Sequence, residues 1–251
     1  MATVFLAALS GSLIPRPAQA LDAPAGQTGA EALPAHPGSG KAGRILFLGN
    51  SITLHGPKAD IGWSGNWGMA ASSQDKDFVH LLLSRIAAKT QRQPEALIAN
   101  VADFERQFET YDVSTQLKQQ LDFKPDIVVL AIGENVLALS SAESRTKFRS
   151  ALAALLASFK KAGNPAVFVR SCFWADQTKD GILQEVCKEA GGTFVDISRL
   201  GQDASNQARS ERHFQHDGVA AHPGDKGMQA LAHALWSAIS GSVFAEQPER
   251  K

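Results

Sequence analysis

Five short apolar runs, each separated from the next by a segment with helical periodicity, constrain the fold of this chain more than any other feature. The run over 126–132 is apolar after its first residue, which is typical of a central strand in a parallel sheet. The other strands are predicted over 44–49, 95–101, 166–171 and 193–197. Because helices alternate with these strands, right-handed crossovers and a parallel sheet are expected.

Helices are predicted between the strands from the spacing of apolar residues. The segment 76–90 places Phe78, Leu82 and Ile86 on one helical face. The longest helix, over 143–162, is followed by the breaker Gly163-Asn164-Pro165. The remaining helices are predicted over 113–121, 179–190 and 224–239.

Length and charge narrow the class of protein. The chain has 251 residues, with 25 basic and 25 acidic side chains, so neither nucleic acid nor an anionic membrane is expected as a partner. Since no apolar run reaches roughly 18 residues, no membrane span is expected either. One α/β domain is predicted over 44–245, and no oligomeric state follows from the sequence.

The first 43 residues read differently from the rest. Residues 1–20 are apolar and end in Ala18-Gln19-Ala20, which predicts a secretory signal, although its basic beginning is missing. A disordered apolar tail is the alternative. Residues 21–43 are rich in Ala, Pro and Gly and predict a flexible linker. The protein is therefore expected to be secreted or periplasmic, where Cys172 and Cys187 could form a disulfide or remain two buried thiols.

Polar residues follow the predicted strands at the points where ligands bind in open α/β sheets. Ser51 comes directly after the first strand, Asn135 follows the central strand, and His222-Pro223 precedes the last helix. A serine hydroxyl becomes a nucleophile only beside a base, and a neutral histidine can serve as that base. Taken singly, these residues also fit turns and a helix start.

Together these blocks resemble those of the SGNH hydrolases, the GDSL esterase/lipase superfamily, and especially its carbohydrate acetylesterases. Gly49-Asn50-Ser51 resembles the family's Gly-Asp-Ser, Gly133-Glu134-Asn135 its Gly-x-Asn, and His222-Pro223 its last block. The resemblance implies a flavodoxin-like, three-layer α/β/α sandwich with a five-stranded parallel sheet. The chain departs from the pattern at Asn50 and Val136, where the family has Asp.

The resemblance also implies roles for these residues. Ser51 is the expected nucleophile and His222 the base, while the side chain of Asn135 and the backbone N–H groups of Ser51 and Glu105 are the expected oxyanion donors. Glu105 stands where the family has Gly, so only its backbone is assigned a role, and a purely structural carboxylate is the alternative.

The third member of the triad is less clearly marked. The family's Asp stands three residues before the His, where this chain has Val219, and the nearest carboxylate is Asp217. Asp217 is predicted to orient His222 if the loop bulges. A backbone carbonyl near residues 219–220, giving a Ser-His dyad, is the alternative.

The loop after Ser51 is the expected substrate-binding segment. Trp63 and Trp67 are predicted as exposed platforms for sugar rings, with His55 and Asn66 lining the pocket. Packing of both indoles beneath the loop is the alternative. With export, these tryptophans favour a small-molecule or polysaccharide ester as the substrate.

The function predicted from the sequence is a serine esterase that hydrolyses short acyl esters, above all acetyl esters of a carbohydrate. The alternatives are a lysophospholipase or thioesterase of the same fold, and a non-catalytic carbohydrate-binding module on a degenerate hydrolase fold. No cofactor is predicted. The cluster of His213, His216, Asp217 and His222 fits no zinc spacing, so no metal is predicted.

Overall fold

A computed structural model describes residues 30–32 and 42–245 of the chain, and the predicted signal over 1–20 lies outside them. The described residues form one six-stranded sheet with the order β1-β3-β2-β4-β5-β6. Its strands are β1 (Ala30–Ala32), β2 (Arg44–Gly49), β3 (Glu95–Asn100), β4 (Ile127–Ala131), β5 (Ala166–Arg170) and β6 (Thr193–Val195).

Strands β2 to β6 are parallel, which confirms the predicted five-stranded parallel sheet. Gly49, at the end of β2, is in register with Asn100 of β3 and Ala131 of β4. The carboxyl ends of these three strands therefore meet at one edge, and the loops that leave them share that edge.

Strand β1 was not predicted. Ala30 pairs with Ala99 in an antiparallel register, so residues 30–32 of the predicted linker extend the sheet beyond β3. A three-residue edge strand is held by its backbone and leaves little pattern in the sequence. The rest of the predicted linker before residue 42 lies outside the described residues.

Helices cover both faces of the sheet, as a three-layer sandwich requires. They are α1 (Phe78–Thr90), α2 (Ala102–Gln107), α3 (Val113–Gln116), α4 (Lys118–Asp122), α5 (Ala142–Gly163), α6 (Gln177–Glu189), α7 (Asp217–Ala221) and α8 (Asp225–Val243). Phe47 of β2 belongs to the core formed with α1 and α8, whereas its neighbour Leu48 belongs to the core formed with α5 and α6. No helix within 42–245 is long and apolar enough to cross a bilayer.

Four short helices differ from the prediction. The single helix predicted over 113–121 is divided into α3 and α4 at Leu117. Helices α2 and α7, of 6 and 5 residues, were not predicted. A helix this short spans fewer than two turns, so its apolar residues cannot show a period of 3.6. Both α2 and α7 prove to carry residues of the candidate site.

The two cysteines are not joined by a disulfide. Cys172 and Cys187 are both buried as free thiols, and burial raises the pKa of each, to about 11 for Cys187. Of the two alternatives left by the sequence, the structure has the buried thiols.

Candidate active site

Ser51 lies two residues after the end of β2, in a turn closed by the carbonyl oxygen of Asn50, which accepts from the N–H groups of Thr53 and Leu54 at 2.9 and 3.0 Å. Gly49 is required before this turn, because a Cβ there would overlap Oγ1 of Thr53. The turn leaves the Ser51 side chain only partly buried, so its hydroxyl is presented at the sheet edge.

The hydroxyl of Ser51 meets the imidazole of His222, the predicted base. The distance from Ser51 Oγ to His222 Nε2 is 2.8 Å, although 171 residues separate them. The other ring nitrogen, Nδ1, lies 2.7 Å from the carbonyl oxygen of Gly218. A carbonyl only accepts, so Nδ1 carries the proton and Nε2 presents its lone pair to Ser51.

His222 is held in its neutral form. Burial lowers its pKa to about 4, outweighing the hydrogen bond to Gly218 and the negative charge of Glu134, which act to raise it. Nearby His55 and His216 also lower it. At neutral pH the imidazole can therefore take a proton from Ser51.

Asp217 does not take the predicted position beside His222. Its side chain is exposed at the start of α7, and its backbone carbonyl accepts from Nη2 of Arg209 at 3.3 Å. Residues 217–221 form one helical turn, which brings the carbonyl of Gly218 to the imidazole and turns Asp217 to solvent. The prediction of Asp217 as the orienting carboxylate is wrong, and the backbone-carbonyl alternative is observed one residue before the expected pair 219–220.

Asn50 occupies the centre of a buried polar cluster. Its Nδ2 donates to Oε2 of Glu134 at 2.7 Å and to Oε1 of Glu105 at 3.2 Å, while its Oδ1 accepts from the N–H of Ile52 at 3.1 Å. Glu134 also accepts from Nη1 of the fully buried Arg170 at 2.6 Å. The ends of β2, β4 and β5 are thereby tied together beneath Ser51.

Glu105 was predicted to offer its backbone N–H to the oxyanion, and the structure contradicts this. That N–H donates to the carbonyl of Val101 at 3.3 Å, at the start of α2. The side chain has the role instead: Oε1 accepts from the N–H groups of Gly133 and Asn135 at 2.6 and 3.2 Å, and Oε2 accepts from Nδ2 of Asn135 at 2.7 Å. The structural alternative for the carboxylate is the one observed.

The two buried carboxylates differ in acidity. Burial and the neighbouring Glu134 raise the pKa of Glu105 to about 6, against the hydrogen bonds it accepts. Burial also acts to raise the pKa of Glu134, but the charge and hydrogen bonds of Arg170, with those of Phe173 and Asn50, leave that pKa below its ordinary value. Glu134 therefore keeps its negative charge to a lower pH than Glu105 does.

Asn135, the predicted oxyanion donor, has only 7% of its surface exposed. Its Oδ1 accepts from Nη2 of Arg106 at 3.3 Å while its Nδ2 donates to Glu105. An amide nitrogen carries two hydrogens, so one remains available for a substrate oxygen. The turn before it needs Gly133, whose φ is +124° and whose Cβ would overlap Sγ of Cys172.

The tryptophans of the loop after Ser51 do not form two exposed platforms. Trp63 is 7% exposed and donates from Nε1 to the carbonyl of His55 at 2.9 Å. Trp67 donates to the carbonyl of Ala71 at 3.0 Å, and its ring centroid lies 5.6 Å from that of Trp63. The loop builds a small core from its own indoles, so the prediction of Trp63 as an exposed platform is wrong. Edges of both Trp63 and the half-buried Trp67 line a surface groove of about 470 Å³.

The other two residues predicted in this loop differ in placement. His55 is buried, has Nδ1 2.6 Å from the carbonyl of Gly56, and acts electrostatically on His222. Burial lowers the pKa of His55. Asn66 is exposed. The structure thus brings His55, but not Asn66, into the electrostatic surroundings of the candidate base.

Sequence reasoning missed Trp174, a third aromatic residue at the site. Its ring centroid lies 5.1 Å from that of His222 at an interplanar angle of 83°, and the residue is half-buried. Its signal in the sequence was its place, four residues after the end of β5 at the same sheet edge. Arg170, a charge that ends an otherwise apolar strand, was a second signal.

No metal site accompanies these residues. Within residues 30–32 and 42–245, no three side chains of His, Cys, Asp or Glu are arranged to hold a metal ion. His216 uses Nδ1 to accept from the N–H of Gly218 at 3.0 Å, which caps α7.

Comparison with known proteins finds one matching family model and several solved esterase structures of similar fold. The model of the GDSL-like lipase/acylhydrolase family matches residues 47–230. The acetyl xylan esterase AlAXEase is similar in structure, with 18% identity and a TM-score of 0.52 over 78% of this chain and 99% of that chain. A family two carbohydrate esterase from Clostridium thermocellum, solved with cellohexaose, has 18% identity and a TM-score of 0.51 over 80% of this chain and 64% of that one. No curated protein matches the chain.

Proposed function

The chain belongs to the GDSL-like lipase/acylhydrolase family and is a carboxylic ester hydrolase, and from this premise we propose that it is a serine esterase removing short acyl groups, above all acetyl, from a carbohydrate. The observation that carries the proposal is the 2.8 Å contact between Ser51 Oγ and His222 Nε2, with Nδ1 already bonded to Gly218. This arrangement presents a base to a nucleophile in the tautomer that the reaction needs.

In the proposed reaction, Ser51 Oγ attacks the ester carbonyl while its proton passes to Nε2 of His222. The negative oxygen that results is stabilised by donors already in place, for which the free Nδ2 hydrogen of Asn135 and the N–H of Ser51 are proposed. His222 then protonates the departing alcohol, and the acyl group remains on Ser51. Water, deprotonated by His222, attacks the acyl-enzyme and releases the acid and the free serine.

The imidazolium formed during this cycle is stabilised by the carbonyl of Gly218 and by the negative charge of Glu134, which acts on His222. A carbonyl carries only a partial charge, so it orients the ring and contributes less charge stabilisation than a carboxylate would. The proposed machinery is therefore a Ser-His dyad.

The carbohydrate part of the proposal is supported by Trp174, a half-buried ring beside His222 that can offer an apolar face to a sugar. The similarity to an acetyl xylan esterase and to a carbohydrate esterase, at 18% identity, is evidence for the fold. We also propose that the protein is secreted or periplasmic, on the signal-like sequence of residues 1–20.

A second candidate is a lysophospholipase or thioesterase, which needs an apolar surface for a long acyl chain. A groove of about 440 Å³ lies beside α2 and α5, with Phe104, Phe108, Tyr111 and Val113 in its lining. Phe104 directly precedes Glu105, so this groove adjoins the buried cluster in sequence.

Acyl-length selectivity tests the two candidates. Rates are measured on 4-nitrophenyl acetate, butyrate, octanoate and decanoate, together with acetate release from acetylated xylan. The proposal expects a steep fall beyond acetate and release of acetate from the polymer, both lost in Ser51→Ala and retained in Ser158→Ala, a control serine in α5. Higher rates on decanoate would favour the second candidate, and equal rates in Ser51→Ala and the natural protein would remove Ser51 from the mechanism.

A further inference from the structure

We propose that Glu105, assisted by Arg106, is a positioning residue that keeps the side-chain amide of Asn135 turned with its NH2 group available to the reacting carbonyl. The inference rests on the proposed function, in which Asn135 is an oxyanion donor. It assigns the role to two neighbouring residues of α2, a helix the sequence did not predict.

The orientation of an asparagine amide has to be fixed by its neighbours, because its oxygen and nitrogen ends have nearly the same shape. For Asn135 the two orientations differ in function. With Nδ2 at the reaction centre the side chain donates to an oxyanion, whereas with Oδ1 there it would repel one. A donor that is correctly turned before the reaction begins costs no reorganisation during it.

Glu105 fixes one side of the amide. Its carboxylate can only accept, and Oε2 lies 2.7 Å from Nδ2 of Asn135, so this contact is satisfied in one orientation alone. Oε1 holds the backbone of the same turn, through the N–H groups of Gly133 and Asn135. One fully buried carboxylate therefore holds both the backbone N–H and the side-chain amide of Asn135.

Arg106 fixes the other side. A guanidinium can only donate, and Nη2 of Arg106 lies 3.3 Å from Oδ1 of Asn135. Turning the amide over would place an oxygen against the Glu105 carboxylate and an NH2 group against Arg106. The two consecutive residues thus disfavour the same wrong orientation with opposite chemistry.

The placement of this pair follows from the start of α2. Oδ1 of Asn100, the last residue of β3, accepts from the N–H of Ala102, the first residue of α2, at 2.9 Å and so ties the first turn of the helix to the sheet edge. One turn later the chain presents Glu105 inward, anchored by the buried ring of Phe104. The strand end thus determines where the carboxylate lies.

A cycle of variants tests the inference. Glu105→Gln keeps the shape of the side chain, but its amide can retain the three bonds at Oε1 only by turning an NH2 group toward Nδ2 of Asn135. We expect kcat on 4-nitrophenyl acetate to fall about 10- to 100-fold, approaching the roughly 10²–10³ lost with a whole oxyanion donor, and KM to change little. Glu185→Gln, the same change at an exposed site on α6, should leave kcat unchanged.

The double variant decides between positioning and general destabilisation. If Glu105 acts through Asn135, then Glu105→Gln in an Asn135→Ala background should lower kcat by less than about threefold. Equal losses in both backgrounds would overturn the inference. Unfolding midpoints of all the variants, measured beside the rates, show whether each has retained its fold.

A readout that needs no turnover keeps the inference separate from the proposed function. The side-chain NH2 signals of Asn135, identified by their loss in Asn135→Ala, are followed in ¹⁵N NMR spectra. They should move in Glu105→Gln and stay in place in Glu185→Gln. Unmoved signals would overturn the positioning role even in an active enzyme, whereas moved signals in a protein without esterase activity would contradict the proposed function alone.

Discussion

The carbonyl oxygen of Gly218 accepts a hydrogen bond from Nδ1 of His222 at 2.7 Å, so an uncharged peptide group orients the candidate base. The peptide belongs to α7, whose single turn also directs Asp217 outward. The five-residue helix α7 therefore leaves His222 oriented by a carbonyl, as in a Ser-His dyad, and not by Asp217, as in the triad that the sequence suggested.

Replacing Asp217 should matter little for catalysis. We expect Asp217→Asn to keep kcat/KM for 4-nitrophenyl acetate within about twofold, because the side chain is exposed and His222 is bonded elsewhere. A triad carboxylate changed in the same way costs roughly 10⁴ in kcat. Steady-state rates of Asp217→Asn beside His222→Ala make the measurement, and a loss of more than a hundredfold would restore Asp217 to the mechanism.

The activity should show an acid limb that belongs to Glu105 and not to His222. The pKa of Glu105 is raised to about 6, so below that pH it gains a proton and can no longer accept all its bonds from Asn50, Gly133 and Asn135. His222, with its pKa lowered to about 4, remains neutral through this range. We therefore expect kcat to fall as the pH drops through about 6.

The same experiment on Glu105→Gln separates the two groups. Glutamine has no proton to gain, so the remaining activity should hold down to about pH 4, where His222 becomes charged. Glu134, paired with Arg170, has a lowered pKa, and His55 is present in both proteins, so the difference between their acid limbs belongs to Glu105. Identical acid limbs in the two proteins would contradict the assignment.

The effects of substitutions at Asn50 and Glu105 on stability should be coupled, because the two side chains are hydrogen-bonded. Asn50→Asp would set a third carboxylate against Glu105 and Glu134, of which Glu134 is already paired with Arg170, so we expect a loss of stability at pH 7.5. The loss should be smaller when Glu105→Gln is already present, by a coupling of about 1–3 kcal/mol. Urea unfolding of the four proteins measures it, and strictly additive losses would show that the two positions act independently.

The turn that presents Ser51 should tolerate no side chain before it. Gly49→Ala would drive a Cβ into Thr53 and within 3.0 Å of the carbonyl oxygen of Ala131, so we expect destabilisation of about 1–3 kcal/mol and a fall in activity. Gly181→Ala, in the middle of α6 with nothing within 4 Å of its Cβ, should instead stabilise the protein by about 0.5–1 kcal/mol. Thermal unfolding of both variants makes the comparison, and a Gly49→Ala protein as stable as the original would refute the packing argument.

The parts of the molecule that could be predicted from the sequence are those in which neighbouring residues carry the signal. The run around Val129 is apolar because β4 is buried on both faces, and the place of Ser51 follows from the strand before it. The order of the blocks that contain Ser51, Asn135 and His222 was sufficient to identify the candidate nucleophile, base and donor.

The parts that escaped prediction depend on residues far apart in the chain. Glu105 stands where the family has Gly, and nothing near it in the sequence indicates its role. Its carboxylate binds Asn50 and Asn135, which are 55 and 30 residues away. Trp63 reads as exposed because its neighbours are polar, yet the loop folds over it. Contacts of this kind leave no local periodicity to detect.

Strand β1 has a consequence for the behaviour of the protein in solution. Residues 30–32 cover the edge of β3, whose N–H and C=O groups would otherwise be open to pairing with another chain. A shortened protein that began at residue 43 would keep every residue of the candidate site, yet it would expose that row of groups to its neighbours. Strand β1 thus occupies the edge of β3 at which a second copy of the chain could otherwise add a strand.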